Sequence, residues 1–172
     1  MASLPSSKLS CLLVVAGILC AGQSEHAAAT SWADYYATAY RVPPELVHAI
    51  IEVESAWRAD AMSIKGAAGL MQLMPETAVT FGVTNRFDVQ QNIRGGVAYL
   101  ARLMKLFNGD LRLATAAYVA GENRILTKGL QYSNADVFEY VSKVARLYQQ
   151  KRLKRLRREP LAEIANKGGN SP

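Results

Sequence analysis

The chain has 172 residues, 50% of them apolar, which suffices for one compact core without staples and excludes a disordered or fibrous polymer. Its formal charge of +6 is unevenly spread: residues 30–142 carry ten basic and eleven acidic side chains, whereas Lys143 to Arg158 holds eight basic ones and no acid. The basic character belongs to a C-terminal segment, so no nucleic acid is expected as a partner of the domain itself.

Residues 1–29 have the pattern of a secretory signal peptide. Lys8 supplies a positive charge, Cys11 to Leu19 is an uncharged apolar run too short to span a bilayer, and Ala27-Ala28-Ala29 offers small residues for cleavage. Gly22 marks a second candidate cut. Both cysteines, Cys11 and Cys20, lie inside this segment, so the processed protein is expected to carry no disulfide and no thiol chemistry. Gly17-Ile18-Leu19 before Cys20 lacks the pattern of a lipid-acceptor site.

Trp32, Tyr35, Tyr36, Ala39 and Tyr40 recur at helical spacing and predict aromatic packing against the core. Val42-Pro43-Pro44-Glu45 then starts a second helix, since proline suits a first helical turn and an acid there complements the dipole. On this helix Leu46, Ile50, Glu54 and Trp57 share one stripe, widened by Val47 and Ile51, while Glu52 faces water. A carboxylate on the apolar stripe is either a paired core residue or a general acid whose pKa burial has raised.

Ser63 to Pro75 is a glycine-punctuated apolar turn in which Gly66-Ala67-Ala68-Gly69 permits close backbone approach and Gln72 offers an amide. Pro75-Glu76-Thr77 opens a helix that ends at Gly82. Asp88 to Asn92 reads as a loop or irregular helix start. Ile93, Val97, Leu100, Leu103, Met104 and Phe107 predict a long amphipathic helix closing at Asn108-Gly109. Leu111 to Ala120 is a short, largely apolar helix, hence central. A last helix runs from Asn134 with Val137, Tyr140, Val141, Val144, Leu147 and Tyr148 on one face, until Glu159-Pro160 breaks the pattern. The remaining residues read as a disordered tail, and no segment alternates as a strand would.

Glu54-Ser55 with Gly66-Ala67-Ala68-Gly69-Leu70-Met71-Gln72-Leu73-Met74-Pro75 after it resembles the signature of the soluble lytic transglycosylase family. The later blocks agree in order: Asn92-Ile93 with Gly95 and Tyr99-Leu100, then Ala117-Tyr118 with Ala120-Gly121, then Tyr140-Val141. The resemblance covers about residues 31 to 148. It implies an all-α, lysozyme-like fold of the goose type, periplasmic location and peptidoglycan glycan strands as substrate. It further implies that Glu54 is the single acid/base, cutting the bond between N-acetylmuramic acid and N-acetylglucosamine to leave a 1,6-anhydro product. Ser63, Met71, Gln72, Tyr118 and Tyr140 are the substrate-cleft residues so implied.

The family pattern is departed from in three places: Val119 stands where an Asn is usual, Ala59 where a Pro is usual, and the pair Asp136-Val137 where Glu-Thr is usual. Val119 removes an amide from the cleft, which keeps a glycan-binding protein with weakened turnover among the readings, beside a hydrolytic lysozyme on the same fold. The expected organisation is thus a signal peptide over 1–29, a catalytic domain over 30–150, and a basic C-terminal helical extension and tail over 151–172. Lys151, Arg152 and Arg155 with Leu153 and Leu156 suit an anionic membrane surface, an anionic polymer or a secretion-machine partner. No metal-ligand spacing and no phosphate-binding glycine loop is present in the sequence, so no cofactor is expected.

Overall fold

The computed structural model describes residues 24–167, except for the side chains of Leu130 and of residues 158–167. The apolar run expected to be a signal sequence lies outside the described residues. The described chain forms seven helices: α1 (residues 24–40), α2 (Pro44–Ser55), α3 (Pro75–Thr80), α4 (Val89–Leu106), α5 (Leu111–Ala120), α6 (Glu122–Lys128) and α7 (Ala135–Lys167). A single 3-10 turn, Gly129–Gln131, comes after α6. No strand forms among the described residues; two isolated bridges, Met62 with Ala68 and Ala68 with Leu73, pin the loop between α2 and α3. The fold is all-α, as the sequence predicts.

The main core joins α2, α4 and α7 through Leu46, Val47, Ile50, Ile51, Ile93, Val97, Leu100 and Val144, with Leu70 and Met71 of the loop inserted among them. Leu103, Ala114, Ala117 and Ile125 build a second cluster under α5 and α6. α5 touches α4, α6 and α7, the central place its apolar composition predicts.

Several local expectations need correction. α1 packs through Ala29, Ala33 and Ala37 together with Tyr36, all buried, whereas Tyr35 and Tyr40 are 60% and 39% exposed. Small side chains let the helix backbone approach the core, with Tyr36 buried beside them and Trp32 packed against it, while the rings of Tyr35 and Tyr40 are left at the rim. Ala27-Ala28-Ala29 lies inside α1, with Ala29 in the core, so a cut after Ala29 would remove a packed turn and one near Gly22 would keep it.

The segment from Asp88 is regular: Asp88 caps α4, its side chain accepting from Gln91 N at 2.8 Å. α6 is not anticipated from the sequence, because seven residues are too few to show a period. α7 continues through Pro160 to Lys167; proline's φ is helical, and its missing N–H removes one hydrogen bond without ending the helix.

Candidate active site

Glu54 lies in the last turn of α2, and the backbone just beyond it stops the helix firmly. Ala56 and Trp57 both take positive φ, 51° and 64°, and Ala56 N donates back to Glu52 O. The buried Ser55 hydroxyl donates to Leu70 O at 2.8 Å and lies 3.1 Å from Ile51 O. The end of α2 is thereby fastened to the glycine-rich loop.

That loop is held from beneath by Asn92 of α4. Asn92 Oδ1 accepts from Met71 N at 2.8 Å, and Nδ2 donates to Ala68 O and Arg86 O at 2.9 and 2.7 Å. The Arg86 guanidinium donates to Gly66 O and Leu73 O. A Cβ on Gly69 would sit 2.2 Å from both Arg86 O and Asn92 Nδ2, at a φ of +79°, so only glycine fits. Gly96 is similarly close to Met71, whose side chain fills the space a Cβ would take.

The expected cleft residues separate into different duties. Tyr140 of α7 donates its hydroxyl to Glu54 Oε1 at 2.6 Å. Burial raises the Glu54 carboxyl to about 7, against a smaller lowering by this hydrogen bond. Tyr118 of α5 donates to Met71 O at 2.9 Å. Burial, and then the field of the Glu54 carboxylate, push its hydroxyl well above the ordinary tyrosine range.

Gln72 has a φ of 46°, and its Nε2 donates to Ala61 O and Gly69 O at 3.0 and 2.9 Å. Only its carbonyl oxygen is left to offer. Ser63 turns its hydroxyl to Ala67 N at 3.0 Å and so shapes the loop. The Met71 side chain is fully buried in the core, so the expected substrate contact through it is corrected: its backbone N and O tie the loop to Asn92 and Tyr118.

A cleft of about 820 Å³ opens beside these residues. Gln72 and Met74 of the loop, Thr77 of α3, Tyr99 of α4, and Tyr118 with Val119 of α5 line it. Glu54 does not itself line this cleft. Tyr118 is the link, its ring in the cleft wall and its hydroxyl within the field of the acid. The Tyr99 ring packs, tilted, between those of Tyr118 and Phe81, with ring centroids 5.2 and 5.6 Å away, so the wall is aromatic.

Arg102 reaches Glu122 at 2.6 Å across the same wall. Glu76 and Glu122 are the two carboxylates that line the cleft, while the shift of Glu54 comes from burial and Tyr140. Among the described residues no cluster of acids, histidines and cysteines could hold a metal.

Asn92, Arg86 and Tyr99 are the site residues to which sequence reasoning assigned no role. A polar residue just ahead of an apolar stripe, with two glycines at 95 and 96, was the available signal for a crowded helix face.

A family model described as "Transglycosylase SLT domain" matches residues 31–141. The chain belongs to this family. It is 44% identical over 85 residues to a "Transglycosylase" of Enterobacteria phage PRD1, covering 49% of this chain and 32% of that protein. To the "Membrane-bound lytic murein transglycosylase F" of Cellvibrio japonicus it is 41% identical over 118 residues, 62% of this chain and 24% of the relative. The crystal structure of an inactive mutant of the lytic transglycosylase Slt from Pseudomonas aeruginosa superposes with a TM-score of 0.61 and 32% identity, over 70% of this chain and 24% of that one. The chain thus spans a third or less of the length of these relatives. Glu54, the loop, the cleft and Tyr140 all lie within the SLT match, and the basic half of α7 lies beyond it.

Proposed function

We propose that the protein is a peptidoglycan lytic transglycosylase acting in the periplasm. It cleaves the β-1,4 bond between N-acetylmuramic acid and N-acetylglucosamine, with Glu54 as both acid and base. The carrying observation is the Glu54 carboxyl, raised to about 7 by burial and influenced otherwise only by Tyr140. At neutral pH a large fraction is protonated and able to donate.

In the first step Glu54 gives its proton to the glycosidic oxygen as the bond to C1 of the muramic residue breaks. The sugar bearing the 4-hydroxyl leaves, and positive charge develops at C1. The muramic C6 hydroxyl then attacks C1, and the Glu54 carboxylate takes its proton. The product is a 1,6-anhydro sugar, and the acid is regenerated.

An ordinary glycosidase needs a second carboxylate at a set distance from the first. An internal nucleophile, the muramic C6 hydroxyl, needs no second carboxylate and also gains from proximity. Tyr140 holds the acid by its Oε1, Tyr118 and Tyr99 present an aromatic wall, and the Gln72 carbonyl accepts from a sugar hydroxyl or acetamido N–H. Val119, 44% exposed in the cleft, leaves this wall one hydrogen bond poorer.

The test is mass spectrometry of purified peptidoglycan digested by the processed protein beside a Glu54→Gln control. Anhydromuramyl products that vanish in the control are expected. Reducing-end products would mean hydrolysis instead, and glycan binding without products would mean a binding module.

A further inference from the structure

The basic segment of α7 is divided between two faces. Lys151 pairs with Glu52 of α2, and Arg155 Nε lies 2.8 Å from Glu45 Oε1. Those two cations are neutralised where α7 packs on α2. By sequence they group with Arg152 as an attachment surface, and the packing removes them from it.

The other face is different. At 100° per residue Leu153 and Leu156 lie roughly 200° and 140° around the helix from Lys151, opposite the packed side. They are 55% and 48% exposed. Arg152 flanks them on one side and Arg157 on the other, with Lys154 further round; all three are exposed and none enters an ion pair among the described residues. Lys143 and Arg146 add exposed positive charge two to three turns earlier. No acid occurs between Lys143 and Arg158.

We infer that this face, Leu153 and Leu156 between Arg152 and Arg157, docks the protein on an anionic phospholipid surface. Charge complementarity selects a negative partner, because an unrelieved row of cations repels a positive one and gains nothing from a neutral one. The leucines select a bilayer over a soluble polyanion. A polymer of phosphates or carboxylates gains nothing from exposed leucine, whereas a helix lying in the headgroup region buries such side chains among acyl chains.

No described helix is long and apolar enough to cross a membrane, and the contact proposed for this face is peripheral. Leu153 is thirteen residues beyond Tyr140 on one continuous helix, a rise of about 20 Å. Docking therefore fixes where the acid sits relative to the lipid. The surface lies outside the SLT match and is independent of the reaction assigned to Glu54.

The experiment is co-sedimentation of the processed protein with vesicles of mixed phosphatidylcholine and phosphatidylglycerol, and with vesicles of phosphatidylcholine alone. Binding to the anionic vesicles only is expected. Arg152→Gln, Lys154→Gln and Arg157→Gln combined should weaken it by about tenfold or more. Leu153→Ser with Leu156→Ser should remove the part that survives added salt. Both variants change exposed residues away from the site, and an unchanged circular dichroism spectrum and unchanged peptidoglycan digestion in solution certify the fold.

Equal binding to both vesicle types, no binding, or retention unchanged by the cation variant would overturn the inference. Leucine variants that bind like wild type, with a soluble polyanion competing fully, would reassign the face to polymer binding.

Discussion

Tyr140→Phe isolates what the hydroxyl does for the acid. The substitution keeps the ring and removes only the O–H that lies 2.6 Å from Glu54 Oε1. Burial raises the Glu54 carboxyl to about 7, and this hydrogen bond opposes the rise. A hydrogen bond to a charged acceptor contributes roughly 1.5–3 kcal/mol, and about 1.4 kcal/mol corresponds to one pKa unit. The variant should therefore titrate about one to two units higher.

The assay is the pH dependence of kcat/KM for release of soluble muropeptides, paired with a 13C-detected carboxyl titration of the free enzyme. The alkaline limb, where the general acid is lost, should move from about 7 towards 8 or beyond, by about one unit or more. The maximal rate should fall by less than about tenfold, since the acid becomes weaker as it becomes more populated. A limb that stays in place, or moves to lower pH, would refute the assignment of Tyr140 as the group that lowers Glu54.

Other expectations concern stability and affinity. Glu54 has a folded pKa of about 7 against an ordinary 4.5. The stability linked to its proton is thus complete below about pH 4.5 and lost as pH rises through about 7. Glu54→Gln should make the protein more resistant to urea above about pH 8, by up to about 3 kcal/mol, with the difference vanishing in acid. Equal gains at both pH values would contradict the burial argument. Gly69→Ala should destabilise by about 3 kcal/mol or more, because its Cβ meets backbone and Asn92 at 2.2 Å in a left-handed conformation. A chemical-unfolding midpoint equal to wild type would show that the loop can move aside. Val119→Asn restores an amide to the cleft wall and should tighten glycan binding by about fivefold, the effect of one hydrogen bond of about 1 kcal/mol. Isothermal titration with a non-cleaved glycan fragment measures it, and unchanged affinity would mean that position 119 does not face the sugar.

The helices were legible to the extent that their apolar spacing ran for several turns. α2, α4 and α5 lie where their periodicity places them, with Ile93, Val97, Leu100 and Leu103 buried as one stripe. α6 was not legible, since seven residues between glycines at 121 and 129 carry no period. α1 was placed correctly, but of its aromatic residues only Tyr36 and Trp32 pack on the core while Tyr35 and Tyr40 face outward, and the alanines that complete the contact are weak signals. Pro160 resembles a stop in the sequence, yet the loss of one hydrogen bond is local and a long helix can absorb it.

Residue order alone prescribes a chain of amphipathic helices, one carboxylate carried on an apolar stripe, and a glycine-punctuated loop that permits close backbone approach, because period, residue volume and φ preference are local properties. It does not prescribe that Glu54 meets Tyr140, 86 positions away, or that Asn92 carries the loop across 21 and 24 positions. Nor does it prescribe that Met71 points inward, that Gln72 has its amide nitrogen engaged twice, or that Lys151 and Arg155 are neutralised by α2. Those are long-range pairings. Periodicity tells which face of a helix avoids water, whereas the partner of that face, and with it the burial that raises an acid to about 7, exists only once the helices are packed.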